Sequence, residues 1–498
     1  MNRTKALKLN TAVSLLSELV TLITGLILPR LILLYFGSSY NGLVGSISQF
    51  LGFSVVLRAG LGGAVRAALY KPLAESDTDS ISGIMAATQQ YMRKVGLILG
   101  AGIIAFAAVY PFAVRNEYNW FFTFSLVVIM GVGVFTDNFF GIKCKILLQA
   151  DQKYYIQIGI GVLVSVISSA VTILLVLSGY SIHAVRIGMA ACGLLNPLLL
   201  TMYVKKHYQI NWKQKADGSV IKNKWNAFFQ QLAVIVNGNV DLTLLTFLVP
   251  LREISVYTVH FMVVNNIGKI VDAFSSGVNS TFGDMIARKE QDKLRERFFA
   301  LEWLLMALGA VLYSVTLVML PSFLRLYTRS VEDVNYIRPL FALLMVAATM
   351  LHTSRLPYQL LAEGAGKFKE TRNGAILEVV LNVVLSITFT MIFGLEGVLI
   401  ATLIACAIRT AEYAVFCFKK ILHISVWHLI KHYALLCGTF AVCWAVGSNL
   451  IPADISNYFV WVLNAVFVML LAACVVGLVS VVFYRAQLKD VLRRFRRR

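Results

Sequence analysis

Asn265, Lys269, Asp272, Ser276 and Asn279 stand four, three, four and three residues apart inside one apolar run. On an α-helix they fall within roughly 80° of one face and extend about 21 Å along it. A charge at the centre of a bilayer costs at least about 2.5–3.5 kcal/mol on insertion scales. Such a stripe predicts a wet cavity or, alternatively, a Lys269–Asp272 ion pair that glues two helices together. A second pattern places Ser54, Arg58, Gly62 and Arg66 four apart, with Gly60-Leu61-Gly62-Gly63 between the arginines. The glycines admit close backbone approach or a break, and guanidiniums suit bidentate phosphate binding. Arg58 lies deeper in its run, whereas Arg66 either binds a ligand or snorkels to headgroups.

Further polar residues interrupt other apolar runs. Asn10, Ser14, Ser17, Glu18 and Thr21 share one side of the first run, with Pro29-Arg30 near its far end. Proline inside a helix frees carbonyls and permits a bend. Arg30 faces either a cavity or headgroups, and Glu18 is either a proton or cation site or the partner of an arginine. Asn237 and Asp241 lie one turn apart on one face. His352, Arg355 and Gln359 come together beside Pro357, which makes Arg355 a third basic candidate. Glu378 with Asn382, and Arg409 with Glu412, read as pairs or packing. Arg186, near a helix end, needs no functional reading. No CxxC or Cys/His cluster points to a metal, and no cofactor is expected.

The elements that must position these residues are membrane helices. Of 498 residues, 58% are hydrophobic and 14% charged, and the mean hydropathy is +0.74; soluble domains carry nearer a quarter charged residues. The apolar runs predict an all-α, polytopic membrane protein with about fourteen transmembrane helices. The predicted spans are 10–34, 42–68, 95–114, 120–148, 155–178, 182–204, 226–250, 256–282, 299–320, 336–362, 373–393, 396–418, 429–450 and 457–483. Period-2 alternation in ten-residue segments, the mark of a transmembrane barrel, is missing. The first run is too long for a signal-peptide core and lacks a small-residue cleavage site, so it reads as a retained helix.

The net charge of +20 does not indicate nucleic acid. Roughly 33 of the basic residues fall in alternate loops and the two ends, which is the positive-inside pattern and predicts both termini in the cytoplasm. The segment from Lys205 to Trp225 and the Arg-rich tail are expected against anionic headgroups. The cysteines (Cys144, Cys192, Cys406, Cys417, Cys437, Cys443 and Cys474) lie in or beside apolar runs, so no disulfide framework is expected. External loops are short, which leaves no room for a catalytic ectodomain.

The block from Lys153 to Lys206 matches the block from Lys367 to Lys420 without gaps. Each opens on a Lys-aromatic pair, turns at Gly179 or Gly394, and ends in Lys-Lys. The expected organisation is a six-helix lobe at 1–204, a connecting segment at 205–225, a related six-helix lobe at 226–418, two further helices at 419–484 and a basic tail at 485–498. Duplicated bundles place a transport site between their halves.

The stretches LPRLILLYFGSSYNGLVGSISQFLGF, RAGLGGAVRAALYKPLAE, NGNVDLTLLTFLVPLREISVYTVHFMVV and LLAEGAGKF resemble bacterial oligosaccharide-lipid flippases of the Wzx type. These belong to the multidrug/oligosaccharidyl-lipid/polysaccharide exporter superfamily. The resemblance implies a two-lobed transporter of the bacterial inner membrane, not an enzyme. It would move undecaprenyl-diphosphate-linked sugars outward by alternating access for capsule, O-antigen or another surface polysaccharide. The implied partners are that lipid-linked oligosaccharide, membrane lipids, H⁺ or Na⁺, and the pathway's polymerase and glycosyltransferases. Spans 429–450 and 457–483 would form a groove for the lipid tail. Under this reading Arg58, Lys269 and Arg355, with Arg30 and Arg66, bind the diphosphate. Ser54, Asn265, Ser276, Asn279, Asn237 and Gln359 line the cavity, and Glu18, Asp241 and Asp272 are the coupling-ion candidates. The rivals are a multidrug cation antiporter of the same superfamily and a membrane polysaccharide polymerase. The buried basic residues and the two extra helices argue against the first, and the absence of a large acidic loop against the second.

Overall fold

The computed structural model describes residues 3–57, 61–114, 117–212, 214, 240–275, 278–425, 427–452, 454–485 and 487–488. Among them the regular structure is helical, without a strand. Twelve helices are long and apolar enough to cross a membrane, or thirteen if the bent pair Ser38–Val56 with Leu61–Glu75 counts as one span. Of the expected span 226–250, only the helix Val240–Leu248 lies within the described residues. Contacts divide the chain into two compact units, Met1–Ser255 and Val256–Arg498.

The first unit begins with α1 (Arg3–Phe36) and α2 (Ser38–Gly52), which reverse direction at Gly37 with φ 84°. Pro29 sits inside α1 without ending it. The short α3 (Ser54–Leu57) precedes α4 (Leu61–Glu75), and the two arms of this span are inclined by 45°. Next come α5 (Thr78–Ala113), α6 (Trp120–Thr136), a π-helical turn at Asp137–Gly141 and α7 (Ile142–Ala150). After these follow α8 (Tyr154–Leu177), α9 (Ile182–His207) and α10 (Val240–Leu248). Helix starts obey capping chemistry. Asp77 accepts from the Asp79 and Ser80 amides, and Asn119 and Ser181 open α6 and α9 in the same way.

Helix α11 (Leu251–Ala273) starts in the first unit and continues into the second. It is followed by α12 (Val278–Ala287), α13 (Gln291–Tyr327), α14 (Pro339–Ser354) and α15 (Leu356–Gly364). Then come α16 (Phe368–Phe393), α17 (Leu395–Phe416) with a π-helical extension at Cys417–Leu422, α18 (Trp427–Leu450) and α19 (Tyr458–Phe483). Helix α13 is the pillar of this unit, with 61% of its apolar window buried against 17% for α19. The last two helices pack on it. The Trp303 indole donates to Ser480 Oγ at 3.0 Å, and the Trp461 indole donates to the Met319 carbonyl at 3.1 Å. Helices α5 and α13 run 36 and 37 residues, about 54–56 Å against a hydrocarbon core of about 30 Å.

The two units share their stop signals. Ser76, Gln152 and Gly179 hold φ of 54°, 58° and 74°, and Lys289, Gly366 and Gly394 hold 59°, 68° and 63°. The three pairs stand at one offset to within a residue. At the second pair the Lys153 amide reaches back to Leu148 O at 2.9 Å, and the Lys367 amide to Ala362 O at 3.0 Å. This is the left-handed helix ending that satisfies the last carbonyls. Glycine bears no steric cost there, so Gly366 fits its φ more readily than Gln152 does.

Candidate functional site

Polar groups gather in four places, which are best built up from the helices that hold them. The first is the face of α11. Asn265 is half-buried, while Lys269 and Asp272 are exposed on the helix surface. The Lys269 ammonium reaches only Asn266 Oδ1, at 3.5 Å, and makes no ion pair with Asp272 or with any other described carboxylate. The glue alternative for this pair therefore fails. The stripe is also not carried by one helix, as its spacing predicted. Helix α11 ends at Ala273, where the Phe274 and Ser275 amides turn back to Val271 O and Asp272 O at 3.1 and 3.0 Å. Ser275 Oγ donates to the Asp272 carbonyl at 2.7 Å. The Ser275 side chain captures a carbonyl of the last turn in competition with the helix, so the ladder stops. Asn279 falls on the separate α12; Ser276, Arg58 and Asn237 lie outside the described residues.

The second place is an ion network on α14, α16 and α17. Arg355, 6% exposed, sits at the break between α14 and α15, where Pro357 prevents the ladder from continuing. Its Nη1 donates to Glu378 Oε1 at 2.7 Å and its Nη2 meets His352 Nδ1 at 2.9 Å. Glu378 Oε2 lies 3.7 Å from Arg409, whose Nη1 donates to Glu412 at 2.7 Å. Two guanidiniums thus meet two carboxylates, and Arg355 Nε is buried without a hydrogen bond. Gly374 makes the room: a Cβ there would sit 1.7 Å from Glu412 Oε2. Arg355 is neutralised where the sequence reading left it available, because its carboxylate comes from a different helix. Asn382 Oδ1 accepts from Ser386 at 2.9 Å and Thr402 at 3.3 Å. Gln359 is half-buried and donates to Glu363 at 2.9 Å.

The third place is the end of the first unit remote from the Lys- and Arg-rich loops. Glu117 accepts from Ser39 Oγ and from the Leu251 amide, each at 2.9 Å. Asn41 Nδ2 donates to Ser255 Oγ at 2.7 Å, and Ser46 and Thr246 hydroxyls meet at 2.7 Å. Gly42 lies against the Leu251 carbonyl so closely that a Cβ would stand 1.8 Å from the oxygen. Helix α2 is in this way zipped to α10 and the start of α11, a contact that no local sequence signal announced.

The fourth place is the basic end of the first unit. Arg66, half-buried, donates from Nη1 to Gln149 Oε1 at 2.5 Å, which ties α4 to α7. Lys145 pairs with Asp137 at 2.5 Å, and Lys153 with Asp151 at 2.8 Å. Of the segment from Lys205 to Trp225, expected against headgroups, only 205–212 and 214 lie within the described residues; there Tyr208, Ile210 and Trp212 pack onto the core of α4, α5, α7 and α9. Tyr208 donates to Asp151 at 2.5 Å, and burial, followed by that carboxylate, pushes its phenol above the usual range.

The other expected residues are dispersed. Ser54 is buried at the start of α3. Arg30 and Asp241 are half-buried on α1 and α10, and Glu18 is exposed on α1 among exposed leucines. Two features escaped the sequence reading. Arg186 is 9% exposed; its Nη1 meets only the Met189 sulfur at 3.5 Å and its Nε has no hydrogen bond. Glu302, 3% exposed, accepts from the Tyr358 hydroxyl and lies 3.9 Å from His432. Position near a helix end hid the first, and pairing across more than fifty residues hid the second.

Broken helices with polar side chains inside the apolar spans characterise this fold. Among solved structures it is similar to the lipid II flippase MurJ in an inward closed conformation, with TM-score 0.67, 17% identity, and coverage of 96% of this chain and 99% of that one. It is also similar to an inward-facing multidrug resistance MATE family transporter of the MOP superfamily, with TM-score 0.59, 14% identity, and coverage of 80% and 94%. The MATE multidrug transporter DinF-BH gives TM-score 0.59, 15% identity, and coverage of 85% and 99%. No family model matches the sequence, and no curated protein does.

Proposed function

We propose that this chain is a Wzx-type flippase. It moves an undecaprenyl-diphosphate-linked oligosaccharide from the inner to the outer leaflet of a bacterial cytoplasmic membrane, for capsule, O-antigen or another surface polysaccharide. Both termini lie in the cytoplasm, and the lobes 1–204 and 226–418 alternate in access. The observation that carries the reading is Lys269, an exposed cation within a predicted span that has no carboxylate partner among the described residues. A phosphate is the natural complement to such a charge. Support also comes from coverage: the flippase likeness takes in 96% of this chain, the two drug transporters 80% and 85%.

In the proposed cycle Lys269 and Arg58 hold the diphosphate, with Arg30 and Arg66 along its route. Arg355 joins them only when Glu378 releases it. Ser54, Asn265, Ser276, Asn279, Asn237 and Gln359 line the path. Glu18, Asp241 or Asp272 couples H⁺ or Na⁺, or the membrane potential alone drives export, at roughly 2.3 kcal/mol per charge per 100 mV. The test is flipping of a polyprenyl-diphosphate oligosaccharide in vesicles at clamped potential. Lys269→Gln abolishes flipping while the protein remains folded; retained flipping makes Lys269 structural. A second reading, extrusion of cationic drugs, is favoured by the MATE likeness. It predicts raised drug resistance in an overexpressing strain.

A further inference from the structure

At the basic end of the first unit three lysines are half-buried, and the chain provides a carboxylate for two of them: Asp137 for Lys145 and Asp151 for Lys153. Lys143 has none among the described residues. Its ammonium donates to the Gln89 side-chain oxygen at 2.8 Å and sits 4.5 Å from the centre of the Trp212 ring. One amide and one aromatic face leave part of its donor capacity unused. Arg93 stands one turn beyond Gln89 on α5, and Lys205 one turn beyond Thr201 on α9, whose hydroxyl meets the Sγ of neighbouring Cys144 at 3.9 Å; both are exposed cations. Three positive charges from α5, α7 and α9 converging without an acid repel one another, and a bound anion removes that cost.

Depth in the membrane identifies the anion. One turn beyond Arg93 the surface of α5 becomes apolar and outward-facing, with Leu97 68% and Ile98 60% exposed. The cluster therefore stands where an alkyl chain gives way to its headgroup, the level at which Trp and Lys anchor to lipid. Trp212 is not a loose reporter of that level. The preceding Asn211 amide donates to Ser82 Oγ at 3.0 Å, and the indole packs against the core beneath.

We propose that Lys143, Arg93 and Lys205, with Trp212 as the wall, bind the phosphate of a membrane lipid headgroup. The site is built within the first unit and stands whether or not the flippase reading does.

The test uses the full-length protein in detergent, titrated with dioleoyl phosphatidylglycerol or phosphatidylcholine and followed by native mass spectrometry. The anionic lipid is retained at least fivefold more tightly, and Lys143→Gln removes most of that preference. Lys71→Gln, an exposed cation at the same end, leaves the preference intact. Equal losses in the two variants, or no preference for the anionic lipid, overturn the proposal. So does displacement by inorganic phosphate at equal concentration, which assigns the site to a free ion. A second measurement needs no lysine variant: phosphatidylglycerol with brominated acyl chains quenches the emission component that Trp212→Phe removes. Absence of that quenching also overturns the site.

Discussion

Arg355 Nη1 stands 2.7 Å from Glu378 Oε1, and both side chains are almost enclosed, 7% and 11% exposed. Removing one partner of such a pair costs about 3–5 kcal/mol, because the other charge is left buried. Glu378→Gln therefore lowers the yield of folded protein and the melting temperature. The double variant Arg355→Gln/Glu378→Gln recovers most of the loss. A double variant no more stable than Glu378→Gln would mean that Arg409 and Glu412 alone define the network. Flipping by the stable double variant then asks whether Arg355 ever leaves its partner for substrate.

Arg186 makes the opposite case. A guanidinium 9% exposed that meets only a sulfur and leaves Nε unbonded is an unpaired charge. An unpaired buried charge carries its desolvation cost with no Coulombic return, and an apolar side chain of similar length removes that cost. Arg186→Met should raise the melting temperature in a scan of the detergent-solubilised protein. A fall would show that the charge is satisfied in the working protein.

The bond from Asn41 Nδ2 to Ser255 Oγ, 2.7 Å, places two side chains within reach of a short bifunctional thiol reagent once both are cysteine. Asn41→Cys with Ser255→Cys, in a background without the native cysteines, should cross-link with a bis-methanethiosulfonate. Under the alternating-access proposal the cross-link arrests flipping and a reductant restores it. Continued flipping by the cross-linked protein would make the contact permanent.

Asp77 caps α5, and its bonds from the Ser80 hydroxyl and amide hold its carboxyl below the ordinary value of 3.8. A depressed acid contributes stability above its unfolded pKa and loses it as pH falls through its folded value. The cap is at full strength at pH 5 and above, and weakens below about pH 4. Asp77→Ala should lower the melting temperature by roughly 1–2 °C at pH 7, and the gap from wild type should close in acid. A gap independent of pH would refute the capping role.

Much of the fold was legible because membrane helices announce themselves by local composition. The apolar runs and the turns at Gly179 and Gly394 depend on neighbours in sequence. The polar interior was less so. The break after Ala273 interrupts a stripe whose spacing matched one helix, since periodicity does not register where side chains capture the backbone. Arg355 with Glu378, Tyr358 with Glu302, and Asn41 with Ser255 each join separate helices. No spacing rule reaches across such distances, and a charge reads as available until its partner is placed beside it.

The lengths of α5 and α13 carry a mechanical consequence. Each helix overruns the lipid interior by about 25 Å, so each behaves as an outboard arm rigidly joined to its span. A tilt of roughly 10° at the bilayer sweeps the end of such an arm, with whatever packs on it, through about 4 Å. Labels near Thr78 and Gln291 would thus magnify rotations too small to follow inside the membrane.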